Sequence, residues 1–260
     1  MLRGLYTASS GMVTQSKIMD VVSNNLANVN TTGYKRDTVA TSAFPDFTVT
    51  KNGGDNIPYD GKIGKMNYGI LVDTLHTNFQ YGTINETKGK LDFALEGNGF
   101  FAVSPSPLST PQNIRYTRDG SFSLNKEGYL VTKDGYYVLS KNTDQSGNHV
   151  AIKLTQGDIS VDGSGNISLN GQYMDRFNIV DFNNYNILKK EGENLFDAAG
   201  AQIIPANAVV KQGYLESSNV NSVDEMVNMI NVVRSYEANQ KVVTAFDETL
   251  SKTVNDVGRV

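Results

Sequence analysis

Apolar residues near the start of the chain fall in heptad pairs: Leu5 with Ala8, Met12 with Gln15, Met19 with Val22, and Leu26 with Val29. This spacing predicts a helix presenting a narrow seam, with one polar interruption at Gln15. About 25 residues at a rise of about 1.5 Å make a rod of roughly 40 Å. The end of the chain repeats the design, in Met226 and Met229, Val233 and Tyr236, Gln240 and Val243, Asp247 and Leu250, and Val254 and Val257. Ser222 and Glu225 form a Ser-x-x-Glu capping box ahead of it, and Asp224 sits where the helix dipole favours an acid. Gly258 and Arg259 supply a stop and a terminal cation, for a helix on the order of 50 Å. Proline is absent before Pro45 and after Pro205, so neither pattern is broken.

Between the helices the period changes. Residues 37–90 carry turn signals at Asn52-Gly53-Gly54-Asp55-Asn56 and Asp60-Gly61, and Pro45 and Pro58 exclude long helices. Gly69-Ile70-Leu71-Val72 and the run from Phe79 to Ile84 read as extended. From Leu91 the period is two: Leu91, Phe93 and Leu95 alternate with Asp92, Ala94 and Glu96. Gly97-Asn98-Gly99 turns the chain into a second strand, Phe100 to Val103. A meander follows, punctuated by Asp119-Gly120, Glu127-Gly128 and Asp134-Gly135, then by turns at 162–166 and 170–171 before a strand at Phe177 to Phe182. The expected fold class is α+β, with N- and C-terminal helices paired in a coiled-coil-like helical domain and a central, mainly antiparallel β domain. The expected divisions are 1–36 plus 216–260 for the helical assembly domain, 37–90 plus 205–215 for an extended linker region, and 91–204 for the β domain.

Composition narrows the function. The chain has 260 residues, 39% hydrophobic, with a net charge of −4 and no cysteine. Nucleic acid and anionic membrane are poor partners for it, and disulfides, thiolate metal sites and a cysteine nucleophile are excluded. No apolar run is long enough for a membrane span, and the first residues lack the apolar core of a secretory signal. Gly97-Asn98-Gly99-Phe100-Phe101-Ala102 matches a dinucleotide fingerprint on paper. Pro105, Pro107 and Pro111 forbid the helix that chemistry needs, so a turn is the better reading. His76 and His149 stand without metal-ligand spacing, and Asp119, Asp158 and Asp162 sit beside turn glycines, as turn formers do. Nothing here is positive evidence for an enzyme, a cofactor or a metal. The polar residues in the seams (Gln15, Gln240, Asp247) weaken an isolated coiled coil, which tilts the reading from a plain closed helix pair towards assembly with neighbours.

Three blocks carry a resemblance. The first is Asn24-Asn25-Leu26-Ala27-Asn28 followed by Thr32-Gly33-Tyr34-Lys35. The second runs from Leu91 to Phe101, then Tyr116-Thr117-Arg118-Asp119-Gly120-Ser121-Phe122 and Gly128-Tyr129-Leu130-Val131. The third is Gly213-Tyr214-Leu215-Glu216-Ser217-Ser218-Asn219-Val220, then Glu225-Met226 and Arg234-Ser235-Tyr236-Glu237-Ala238-Asn239. In that order they resemble the rod and hook family of axial proteins of the bacterial flagellar basal body. The short central region is similar to the rod members, of distal type or its proximal paralogue, and the two chain ends to rod paralogues of Gram-positive bacteria.

The resemblance implies a structural subunit that is exported unfolded through the flagellar type III apparatus. It then polymerises helically into the hollow shaft transmitting torque from motor to hook. Its partners would be copies of itself, other rod proteins, the hook protein and the export apparatus, with no nucleic acid and no transmembrane segment. Its place would be the basal body outside the cytoplasmic membrane, in the periplasm or cell-wall layer. The assembly seam would comprise Leu5, Met12, Met19, Leu26, Met226, Met229, Val233, Tyr236, Val243 and Leu250. Asn24, Asn25, Asn28 and Asn219 would make polar contacts, against the alternative of simple helix and turn capping. The competing readings are a hook-type or other axial protein and, more distantly, a secreted β-rich enzyme or binding module.

Overall fold

A computed structural model describes residues 2–50, 62–144, 147–155 and 157–257. The chain divides into two compact units. The turns expected at 52–56 and 60–61, Pro58, and the Gly258-Arg259 stop lie outside the described residues.

The first unit takes the chain up to Leu26, Asp37–His76, and everything from Ser222 on. It is built on α1 (Leu2–Ala27) and α2 (Ser222–Val257), about 39 and 54 Å long at the standard helical rise. α1 turns Ala8, Gly11, Thr14, Val22 and Asn25 inward. A Cβ on Gly4 would come 2.4 Å from the Phe246 ring, and one on Gly11 would come 3.0 Å from the Asn239 amide. Gly4 meets Phe246 and Gly11 meets Asn239, so the helices run antiparallel where they touch. Two glycines one heptad apart cost helix propensity, which the close approach of these two side chains offsets.

That approach also selects the inward row of α2. Glu225 and Val232 are buried, and Met229, Tyr236, Asn239, Val243, Phe246 and Leu250 are half-buried. The row steps alternately by four and three. It shares Met229, Tyr236, Val243 and Leu250 with the heptad pairs read from the sequence, but takes Glu225, Val232, Asn239 and Phe246 in place of Met226, Val233, Gln240 and Asp247. Both rows satisfy a 3.5-residue period. Space left by the α1 glycines decides between them. α2 begins at Ser222, with Asp224 and Glu225 in its first turn.

α1 stops at Ala27, short of Val29. The Asn28 carbonyl and Oδ1 accept from the backbone N–H and hydroxyl of Thr31, at 3.2 and 3.0 Å, and so turn the chain. The segment expected as a linker is largely strand in this unit. Asp37–Ala43 pairs with Ile70–Thr77, and Phe47–Thr50 pairs antiparallel with Lys62–Met66. Ile70–Thr77 is fastened to α1 by small hydroxyls. Its Ile70 N–H donates to Ser10 Oγ, and Thr14 Oγ1 donates to the Ile70 carbonyl, each at 3.4 Å.

The second unit comprises Ala27–Arg36 and Thr77–Asn221, and is β-rich. Its main sheet has eleven strands among the described residues, with every pairing antiparallel. At its centre Phe100–Ser104 pairs with Tyr137–Thr143, Arg115–Thr117 and Ile179–Phe182. Phe101 and Val103 pack with Phe93, Phe122, Ile152 and Phe177 on one face. Phe100 and Ala102 pack with Tyr116, Phe182 and Phe196 on the other. Burial on both faces explains why this strand reads as a continuous apolar run, where a half-solvated one would alternate. Gly97 and Gly99 belong to the connection from Phe93–Asn98 into this strand, so no helix N-terminus follows them. A three-stranded meander covers Ile159–Val161, Asn166–Leu169 and Gln172–Arg176. The returning chain pairs Asn207–Gln212 with Phe93–Asn98, then Tyr214–Glu216 with Ile84–Glu86.

Candidate functional site

Gly33 opens the junction where the three signature blocks meet. Its φ is +68°, and a Cβ there would sit 2.4 Å from the backbone nitrogen of Asp119. Only glycine provides both that conformation and that clearance. The Gly33 N–H donates to the Glu216 carbonyl at 2.8 Å, and Thr32 Oγ1 donates to Asp119 Oδ1 at 2.6 Å. Asp119 Oδ1 also accepts from the N–H and hydroxyl of Ser121, so this aspartate holds its own turn and the N-terminal block together. Tyr34 is buried beneath Lys190, whose Nζ lies 3.7 Å from the ring centroid and donates to the Lys35 carbonyl at 2.9 Å.

Lys35 then points inward. Its Nζ lies 2.6 Å from Glu216 Oε1 and donates to the Gln80 carbonyl at 2.8 Å. Glu216 Oε1 accepts a further bond from the Gly82 N–H at 3.1 Å. Arg118 approaches the other carboxylate oxygen at 3.6 Å. Two cations therefore share one carboxylate in a dry site. The surplus positive charge is met by the carbonyls of Leu95 and Gly97, at 3.2 and 2.8 Å from the guanidinium, and by the ring faces of Tyr81 and Phe100. Burial pulls the Lys35 pKa below its ordinary value; the Glu216 carboxylate opposes this, and the Arg118 charge adds to it. Beside the cluster, Asn219 acts as a three-way clasp. Its Oδ1 accepts from the Arg36 N–H at 2.7 Å, and its Nδ2 donates to the carbonyls of Asn78 and Gln80 at 2.8 and 3.0 Å. These groups bind one segment of the chain to another. The arrangement offers no open nucleophile, and among the described residues no group of His, Cys, Asp or Glu could hold a metal ion.

Three family models match the chain, and each contains one member of this charge cluster. The flagellar basal body rod protein family covers residues 5–35, ending on Lys35. The flagellar hook protein FlgE/F/G D1 domain covers 94–169, with Arg118, and the flagellar basal body rod FlgEFG C-terminal family covers 211–256, with Glu216. Similarity to curated proteins extends from end to end. The flagellar basal-body rod protein FlgG of Agrobacterium fabrum is 35% identical over 273 residues, spanning 96% of this chain and 97% of that one. The chain belongs to the flagellar basal-body rod protein family. A second relative, the flagellar hook-basal body complex protein FlhO of Bacillus subtilis, is 31% identical over the whole of both chains. The rod protein FlgF of Caulobacter vibrioides is 31% identical over 98% of each. Rod-family proteins are structural parts of the flagellum, not enzymes.

In this rod-family chain the residues named from the sequence fall into two groups. Leu5, Met12, Met19, Leu26, Met229, Val233, Tyr236, Val243 and Leu250 are half-buried along the two helices, while Met226 is 47% exposed. Of the asparagines, Asn25 is wholly buried and bonds both ways with the backbone of Asp37. Its Nδ2 donates to the Asp37 carbonyl at 2.8 Å, and its Oδ1 accepts the Asp37 N–H at 3.0 Å. Asn28 makes the turn described above, Asn219 makes the clasp, and Asn24 is exposed. The sequence reading quoted Lys35, Arg118 and Glu216 inside its motifs without giving them a role. One signal was available: Glu216 sits at the end of a short strand pattern, where a lone acid in a buried position demands a cation.

Proposed function

We propose that this protein is a structural subunit of the bacterial flagellar rod. It polymerises helically into the hollow shaft that carries torque from motor to hook. The observation that carries the reading is the convergence of all three family segments on the Lys35–Glu216–Arg118 cluster, in a chain matching rod proteins from end to end. In this reading the two terminal helices continue their pairing as a coiled-coil-like element and make contacts between copies. The half-buried heptad residues of α1 and α2, with Asn24, complete their burial there. The subunit leaves the cell through the flagellar export apparatus. It takes its place outside the cytoplasmic membrane, in the periplasm or cell-wall layer, next to other rod proteins and the hook protein. Rod proteins of two names, FlgG and FlgF, match at similar identity, so position along the shaft is a matter for measurement.

Immunogold labelling of isolated hook–basal bodies with antibody to residues 91–204 tests this. Label confined to the rod is expected, and its distance from the membrane gives the proximal or distal place. Label along the hook would make the protein a hook-type axial subunit, and absence from intact hook–basal bodies would remove the rod reading.

A further inference from the structure

Tyr116 lies in the strand Arg115–Thr117, with Ala102 and Phe196 as its register partners on either side. Its ring sits edge-on to Phe182, centroids 4.9 Å apart, and the residue is only 5% exposed. Its hydroxyl makes no hydrogen bond among the described residues. A buried phenol ordinarily finds a partner for its O–H, so this one is an exception. Tyr116 lines a cavity of about 310 Å³ in the β-rich unit, together with Ile114, Asp197, Ala199 and Ile203.

Asp197 supplies the charge in this cavity. Its Oδ1 accepts from the Ala199 N–H at 3.2 Å and lies 3.8 Å from Arg115 Nη1. Arg115 is met more closely by Glu191, which binds its Nε. One cation therefore faces two carboxylates, and a negative charge is left over. Lys189 stands opposite Asp197 in the ladder but forms no ion pair with it among the described residues. Asp197 Oδ2 likewise has no partner there. Burial, and after it the Asp197 charge, raises the Tyr116 pKa above its ordinary 10.0, so the phenol keeps its proton at neutral pH. The remaining wall is apolar, with Ile114 buried and Ile203 exposed at the rim. Ala199 and Gly200 are exposed beside it and carry no large side chain to cover the opening.

We propose that this cavity binds a primary ammonium group carried on a short aliphatic stem. The ammonium donates to Asp197 Oδ2 and to the Tyr116 hydroxyl oxygen, and the stem lies against Ile114 and Ile203. An ammonium has three donors and no acceptor, which suits a site offering a carboxylate oxygen and a phenol oxygen. An anionic ligand would meet the Asp197 charge, and a wholly apolar one would leave both oxygens desolvated and unpaired. The same ammonium chemistry comes from two sources, a free alkylamine and a lysine side chain presented by a polypeptide. The inference goes beyond the rod reading and does not rest on it.

The test is a titration of the isotopically labelled full chain with butylammonium chloride, followed by NMR at the Tyr116 ring and the Ile203 methyls. Saturable shifts at both residues are expected in the millimolar range. Sodium butyrate and n-butanol, at matched concentration and ionic strength, should give none. Asp197→Asn should weaken binding about tenfold, since it removes a hydrogen bond to a charged group. Asp197 also holds its own turn, so Tyr116→Phe provides a second variant that removes one oxygen and leaves the ring packing in place. It should weaken binding several-fold with an unchanged circular dichroism spectrum. Nα-acetyl-lysine methylamide separates the two sources: binding comparable to butylammonium assigns the site to a lysine side chain, and binding of butylammonium alone assigns it to a free amine. Shifts that do not saturate, an equal response to butanol, or undiminished affinity in the folded Tyr116→Phe chain would overturn the proposal.

Discussion

Lys35 Nζ and Glu216 Oε1 lie 2.6 Å apart across 181 positions of sequence, with both side chains 1% exposed. Removing one partner of such a pair leaves the other charge buried, which costs about 3–5 kcal/mol. Glu216→Gln should therefore lose about that much unfolding free energy, since it strands both Lys35 and Arg118. The double variant Lys35→Met/Glu216→Leu should lose less, because it removes the buried Lys35 charge together with its partner and leaves only Arg118, which keeps its carbonyls and aromatic faces, without the carboxylate. Urea unfolding of the three proteins measures the difference, and equal losses for single and double variants would contradict the argument.

The same pair predicts a pH dependence with an unusual sign. Burial lowers the folded-state pKa of Lys35 below the ordinary 10.5. Between that lowered value and 10.5 the unfolded chain binds more protons than the folded one, so the Lys35 contribution to stability rises with pH. Below the lowered value the contribution is at its minimum. Wild type minus Lys35→Met unfolding free energy should thus increase from neutral pH towards 10.5, and a flat difference would show that burial does not dominate.

Gly33→Ala should destabilise through two separable effects. The left-handed conformation costs a non-glycine residue about 1–2 kcal/mol. The added Cβ also meets the backbone of Asp119, which cannot yield as a flexible side chain can. Gly135 has φ +85° with open space around its Cβ position, so Gly135→Ala should show the conformational cost alone. The excess of the first loss over the second, read from denaturant midpoints, reports the close approach at Asp119.

How much of this could be read in advance differs by residue. Helix existence, the meander and the strand at Phe100 followed from periodicity and turn glycines, because those signals are local. The inward row of α2 did not follow. Met226 and Glu225 both satisfy a heptad, and apolarity alone favours Met226. Gly4 and Gly11, one heptad apart on α1, are what admit Phe246 and Asn239, and that is information from the other end of the chain. Asp119 looked like a turn former and is one, but its bond to Thr32 depends on a contact 87 residues distant. The Asn-rich end of α1 was conspicuous in the sequence, while the bidentate match of Asn25 to the Asp37 backbone required the turn between them.

Val233→Asp and Leu250→Asp place a charge on half-buried positions of α2. Each should abolish incorporation into rods while the β-rich unit stays folded, since neither residue belongs to it. Sedimentation of rods and near-UV circular dichroism of the monomer separate the two effects. Rods that still form and cells that still swim would show that these positions are not at contacts between copies.

The strand that carries Glu216 is the last one before α2. Until it arrives, Lys35 has no carboxylate, Gly33 no carbonyl for its N–H, and the Arg36 backbone no Asn219. A chain emerging from its N-terminus must therefore wait for nearly everything between residues 35 and 216 before this junction can close. Completion of the fold is timed by the arrival of the final segment. A growing chain is kept open by its own sequence, and a chain truncated before Glu216 would never shut.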